Sequence, residues 1–334
     1  MTMHAALSQT KRSSGLRRVN LERDLRAIAA LIEEAFRDEM DAGGRATISE
    51  LRGLSRLGPL LRVAALADRM LRGIGQGFVW EQDGQIVGNV TLIPADYPPE
   101  LGRTIIIANV AVAPAYRRRG IARQLMLAAL ESIRAGGATA AILEVDAANT
   151  GAQRLYAGLG FRTLRTWHAW RRSSEAPLPP RLPDSPPITR RPEGLWRAEY
   201  AMATRAFPPE LGGLGWQRPL HPREFHRTPA GRLAEFLTGS ATERWIVREG
   251  ERVRGSLWAR TSFASGVIQL TLIVPPEEKG RLEEPLLNYG VRQLAPIERA
   301  LTCEHPADDE HATEALRRCG FGIRRTLTHM RLDF

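Results

Sequence analysis

The chain has 334 residues, 43% hydrophobic and 25% charged, which is the balance of a soluble globular protein about twice the size of a ~150-residue domain. That composition excludes disordered and collagen-like chains, and two cysteines, Cys303 and Cys319, exclude a disulfide framework and point to a reducing cytosol. The formal charge is +10, yet 45 of the 47 basic residues are arginine and they are dispersed, so codon bias explains the excess better than a nucleic-acid partner does.

Residues 1–14 form a tail of mixed polar composition without the apolar segment of a secretory signal, so a cytoplasmic location is expected. A short strand at 17–19 precedes a helix at 21–36, whose apolar residues Leu25, Ile28, Ala29, Leu31, Ile32 and Phe36 recur at helical spacing. Residues 41–75 read as one or two short helices carrying Leu51, Leu54, Leu57 and Leu61. Asp83-Gly84 between two apolar runs, 78–82 and 85–93, predicts a hairpin. Residues 103–112 read as a central strand buried on both faces. The surrounding apolar run, 105–114, is broken by Asn109 and is far below the ~18 residues of a membrane helix, so no membrane partner is expected. A helix at 120–135, a strand at 139–145, a helix at 149–158 and a strand at 161–172 complete an α/β arrangement, a mixed sheet flanked by helices.

Residues 176–193 contain seven prolines and read as an extended linker. It separates a first domain, 15–175, from a second, 194–334. The two halves resemble each other. An offset of 160 sets Glu144 on Glu304, Asn149 on Asp309 and Gly160-Phe161 on Gly320-Phe321; an offset of 162 sets residues 111–114 on 273–276. A duplicated fold follows, too long per repeat for a solenoid. Trp196, Trp216, Trp245 and Trp258 are expected to pack the second core, with Cys303 and Cys319 as buried thiols. His221, His226, His305 and His311 have no metal-ligand spacing.

The chemistry concentrates where the central strand ends. Arg117-Arg118-Arg119-Gly120-Ile121-Ala122-Arg123 opens a helix with small residues, unpaired N–H groups and flanking cations, a combination suited to a diphosphate; a solvated loop capping a helix would read the same way. Arg117, Gly120 and Ala122 fill the Arg/Gln-x-x-Gly-x-Gly/Ala motif of the GCN5-related N-acetyltransferase (GNAT) superfamily, and the block from Glu144 through Asn149 and Tyr156 to Leu159-Gly160-Phe161 resembles the elements that follow it there. The likeness covers about 15–172 well and 190–334 in part. It implies two tandem GNAT folds, the second degenerate, since Leu282 and Glu284 replace the small residues, Pro285 follows, Asp309 replaces the asparagine and Leu316 the tyrosine. Tandem forms with one degenerate copy also occur in the mycothiol synthase type, where the active copy is as a rule the second.

The resemblance further implies an N-acetyltransferase that moves an acetyl group from acetyl-CoA to a primary amine by direct attack in a ternary complex. Val110, Ala111 and Val112 would pair with the pantetheine arm, and Arg117, Arg118, Arg119, Gly120, Ile121, Ala122 and Arg123 would seat the pyrophosphate. Asn149 would bond the pantetheine, Tyr156 would protonate the leaving thiolate, and Glu144 would take the amine's proton. From the residues alone, Asn149 reads equally as a helix cap, Tyr156 as a core aromatic and Glu144 as an exposed strand-end carboxylate. The Glu-to-Tyr spacing is most like that of ribosomal-protein alanine N-acetyltransferases. The acceptor is a small-molecule amine or a peptide N-terminus, with Glu33, Glu34, Asp38, Glu39 and Asp41 placed to attract a cation; a homodimer is compatible. The alternative reading is a non-catalytic acyl-CoA-binding module.

Overall fold

A computed structural model describes residues 14–37, 48–49, 51–53, 69–97, 102–215, 218, 220–226, 228, 231, 239–262 and 266–334. Asp38, Glu39, Asp41, Leu54, Leu57, Leu61 and Trp216 lie outside the described residues. Contacts divide the chain into two compact units: one formed by Met1–Ala95, Gly102–Leu143 and Asp333–Phe334, the other by Asp96–Leu101 and Glu144–Leu332.

The first unit runs β1 (Gly15–Arg18), α1 (Leu21–Ala35), α2 (Arg69–Gln76), β2 (Phe78–Gln82), β3 (Gln85–Pro94), β4 (Thr104–Val112), a 3-10 turn (Pro114–Tyr116), α3 (Ile121–Ala135) and β5 (Ala140–Asp146), the last residues of which belong to the second unit. Its strands pair in chain order, antiparallel except for β4 with β5, which run parallel through Thr104–Ile106 and Ala140–Ile142. Asp83 and Gly84 both take positive φ, 53° and 82°, the turn that matches the twist of a two-residue hairpin. Asn20 caps α1 by accepting from the N–H groups of Glu22 and Arg23, and the helix then buries Leu25, Ile28, Ala29, Leu31 and Ile32. Helix α3 lies close on β3, because Gly88 there has no side chain: a Cβ would meet Ile121 Cγ2 at 2.9 Å and Leu125 Cδ1 at 3.0 Å.

One expectation is corrected here. Strand β4 is buried on both faces only as far as Ile107; Ala108, Asn109 and Val110 are half-buried. The cause is a bulge. Asn89 pairs with Ala111 and Thr91 with Ala108, so two β4 residues face Val90 alone, and Asn109 sits at φ 52°. The amide of buried Asn89 donates to Asn109 O at 3.0 Å and to Thr91 Oγ1 at 3.3 Å, holding the kink.

The second unit continues with α4 (Thr150–Ala157), β6 (Arg162–Arg172), β7 (Ile188–Arg190), α5 (Trp196–Ala206), α6 (Pro222–Phe225), β8 (Ser240–Glu249), β9 (Arg252–Ser262), β10 (Val267–Ile273), α7 (Glu283–Leu294), β11 (Ala300–Pro306), α8 (Glu310–Arg318) and β12 (Gly322–Asp333). The elements from β7 to β12 repeat the order of β1 to β6, down to the 3-10 turn at Pro276–Glu278 and the parallel pair β10–β11. The strand order is β12-β6-β11-β10-β9-β8-β7. Strand β6, which closes the first repeat in sequence, is thus inserted between β11 and β12 of the second, antiparallel to both.

The proline-rich stretch runs within the second unit and ends in β7, an edge strand between Pro187 and Pro192 that pairs with β8 alone. Side chains satisfy carbonyls that its prolines leave unpaired. Asn288 donates to Pro180 O, and Arg172 to Pro177 O, each at 2.7 Å. Trp245 and Trp258 are buried as expected, with Trp196 packed part-buried against the cluster that holds Trp258; Cys303 and Cys319 are buried free thiols that burial pushes up to about 12. Among the described residues no helix is long and apolar enough to cross a membrane.

Candidate active site

In the first unit, β4 delivers Val110, Ala111 and Val112 to the 3-10 turn, and the chain re-enters a helix at Gly120. That residue has φ 79°, and a Cβ added to it would meet nothing within 4 Å. Helix α3 therefore starts with no side-chain cap and no acid in its first turn, so the N–H groups of Ile121, Ala122 and Arg123 carry the positive end of the helix dipole into open space. Arg117, Arg118, Arg119 and Arg123 are all exposed around it. They are not equivalent. Arg117 Nε donates to Val112 O at 3.1 Å, while Arg119 donates to Ala115 O at 3.0 Å and lies over the Tyr116 ring. These two brace the loop; Arg118, held at φ 64°, and Arg123 have no such bond among the described residues.

The matching loop of the second repeat is closed on itself. Gly280 has φ 78°, but its N–H donates to Glu283 Oε2 at 2.9 Å, so a carboxylate of α7 already fills the anion position. A Cβ on Gly280 would stand 3.1 Å from the ring of His311. Lys279 turns to Asp309 at 3.0 Å, and His305 reaches the same carboxylate at 3.2 Å. Burial alone would raise the Asp309 carboxyl, but His305, the Ala312 N–H and Lys279 hold it far below the usual range. Glu283 is buried, which raises its own carboxyl.

Three further residues named from the sequence lie in the second unit. Asn149 caps α4, its Oδ1 accepting from Ala152 N at 3.1 Å, as Asp309 caps α8 by accepting from Ala312 N at the same distance. The cap occupies Oδ1 only, and the side chain is exposed. Tyr156 is 6% exposed, packs edge-on to Phe161, and burial pushes its phenol up to about 12, so it stays protonated at neutral pH. Glu144 is half-buried, and its Oε2 lies 3.1 Å from His329 Nε2, within hydrogen-bond distance.

Sequence reading missed His329, which lies in β12 of the second repeat, and Trp167 of β6, on which it stacks at 5.6 Å with 19° between planes. It also missed Glu304 as a neighbour. Burial, then the charge of Glu144, raises the Glu304 carboxyl, so the two carboxylates matched by the 160-residue offset feel each other. The offset itself was the available signal.

Residues 50–161 match the Acetyltransferase (GNAT) family. A GCN5-related N-acetyltransferase from Sphaerobacter thermophilus superposes over 95% of both chains with a TM-score of 0.63 at 19% identity. A tandem GNAT protein from the clavulanic acid biosynthesis pathway does so over 96% of this chain and 98% of its own, with a TM-score of 0.54 at 17% identity. The fold is the tandem GNAT fold. Among sequences, rat N-acetyltransferase 8B is 34% identical over 101 residues, 30% of this chain and 46% of the relative. A mycothiol acetyltransferase of Nocardia farcinica is 36% identical over 112 residues, a third of each chain. Likeness to ribosomal protein bS18 alanine N-acetyltransferase, from Haemophilus ducreyi, is confined to 56 residues. This chain thus spans less than half the length of these relatives.

Proposed function

We propose that the chain is an acetyl-CoA-dependent N-acetyltransferase acting on a primary amine, a small molecule or a peptide N-terminus, by direct attack. The observation that carries this is the contrast between two equivalent loops: the one at Gly120 is open, uncapped and ringed by arginine, and the one at Gly280 is filled by Glu283. The first suits a diphosphate; the second repels one. The match of residues 50–161 to the GNAT family supports the same reading.

In this reading the N–H groups of Gly120, Ile121, Ala122 and Arg123 bind the pyrophosphate with Arg118, while Arg117 and Arg119 hold the loop in shape. The main chain of Val110, Ala111 and Val112 pairs with the pantetheine arm, to which Asn149 adds its free amide N–H. The acceptor arrives as an ammonium ion and gives one proton to Glu144. The amine nitrogen then bonds to the thioester carbonyl carbon, the C–S bond breaks, the thiolate takes the phenolic proton of Tyr156, and the second proton of the nitrogen restores the phenol as the neutral amide forms. A phenol raised to about 12 is protonated whenever the thiolate departs. The second repeat binds no acetyl-CoA. Calorimetric titration with acetyl-CoA tests the reading: one site per chain supports it, and no binding by the wild type overturns it.

A further inference from the structure

Glu144 belongs to the first repeat, but the group that holds it belongs to the second. We propose that His329 is the positioning residue of Glu144, so that the repeat lacking a phosphate loop completes the base of the repeat that has one. The inference rests on the reading of Glu144 as the base.

A base that takes the amine's proton is a carboxylate, which only accepts, so in this proposal His329 Nε2 supplies the proton of the 3.1 Å contact and Glu144 Oε2 is committed to it. Oε1 is the oxygen left for an incoming amine. The partners differ in exposure in the sense a base requires. The His329 side chain is 6% exposed and that of Glu144 21%, so a buried donor steers a carboxylate that solute can reach.

The imidazole is itself fixed. It lies on Trp167, and Trp167 lies on Phe207 at 6.1 Å with 15° between planes, a stack of three rings whose members are all buried. Such a stack resists rotation about the imidazole's side-chain bonds. The β12–β6 register shifts between His329 and Met330, and an irregularity at that point aims the side chain of the preceding residue. Phe207 ends α5 and β12 ends the second repeat, so both outer contributions come from the half that carries no motif. A bond that served folding alone would be satisfied equally with both carboxylate oxygens engaged; among the described residues only Oε2 is engaged.

The test uses the full chain, acetyl-CoA, and a fixed panel of primary amines, with released CoA thiol as the signal. His329→Phe keeps a stacking ring and loses the donor; His329→Gln keeps a donor near Nε2. His329→Phe is expected to lower kcat ~10-fold or more, a fraction of what a general base supplies, while KM for acetyl-CoA and its calorimetric affinity stay within ~2-fold. His329→Gln is expected to recover most of the rate. Added to Glu144→Gln, His329→Phe should cost nothing further, because residues acting through one another are not additive. Wild-type kcat in His329→Phe, or losses that multiply in the double variant, overturns the proposal. The imidazole ¹⁵N spectrum decides independently of turnover: a protonated Nε2 that changes on Glu144→Ala supports the pairing, and an indifferent spectrum contradicts it. Absence of acetyl-CoA binding by the wild type would instead overturn the proposed function and leave that spectrum to judge His329.

Discussion

Glu283 Oε2 accepts the N–H of Gly280 at 2.9 Å, and this bond supplies from within the chain the negative charge that an α-helix N-terminus attracts. The cost is a buried carboxylate: Glu283 is 2% exposed, and its Oε1 has no hydrogen-bond partner among the described residues. Glu283→Gln retains the acceptor and removes the charge. Its folded carboxyl is raised above the unfolded value, so the penalty grows as pH rises through that range, and the sign of the prediction follows. At pH 8 Glu283→Gln is expected to unfold at the same denaturant concentration as the wild type or a higher one, whereas Glu283→Ala loses about 1–2 kcal/mol with the bond. A lower midpoint for the Gln variant would contradict this account of α7.

Asp24 behaves oppositely. It is buried, which alone would raise its carboxyl, yet Arg17 at 2.6 and 2.9 Å and the Asn20 N–H at 2.8 Å hold it below the usual range. Its stabilisation is therefore present above the unfolded value near ~3.9 and lost as pH falls through the lower folded value. Asp24→Asn is expected to cost about 2 kcal/mol at pH 7, the scale of hydrogen bonds to a charged group with Arg17 partly exposed. Urea unfolding of wild type and variant should converge toward pH 2; an undiminished gap there would refute the linkage.

Much of this was legible in the sequence because the relevant patterns are local. The Asp83-Gly84 hairpin, the stripe of α3 and the cap at Asn149 are set by residues within a turn of one another. The β4 bulge was not, since it depends on Asn89, twenty residues from Asn109 and pointing at its backbone. Nor was the insertion of β6 between β11 and β12, which pairs Glu304 with Ala169 across 135 residues and has no signature in either strand alone. The candidate site divides the same way. Its loop and cap were readable as motifs, while His329 stands 185 residues from the carboxylate it holds and carries no motif at all.

Gly88 permits α3 to lie against β3, so its replacement tests how far the loop depends on that seating. Gly88→Ala places a methyl within 3.0 Å of Ile121 and Leu125 and 3.2 Å from Trp80 Cβ. Overpacking of this kind costs about 1–3 kcal/mol. The variant is expected to melt earlier and to bind acetyl-CoA more weakly, because Ile121 is the first residue of the helix that presents the anion site. Unchanged melting would show that the helix can retreat without loss.

Tyr156→Phe removes one oxygen from a buried ring that packs edge-on to Phe161. Its effect should fall on turnover rather than on folding or binding: kcat lower by about 10²-fold, the smaller end of general-acid contributions, with acetyl-CoA affinity retained. Because burial pushes the phenol up to about 12, the wild-type rate should show no alkaline decline attributable to Tyr156 below about pH 11. Rate measurements on both proteins from pH 6 to pH 10 check this, and equal rates would return Tyr156 to the core.

The most direct measurement is calorimetric titration of acetyl-CoA into the wild type, Gly120→Glu and Gly280→Glu. Gly120 borders open space and Gly280 a loop already closed, so the two substitutions add the same charge to loops of opposite character. The account predicts one site in the wild type, none detectable in Gly120→Glu, and an unchanged site in any Gly280→Glu protein that folds. Binding that survives Gly120→Glu, or a second site per chain, would contradict it.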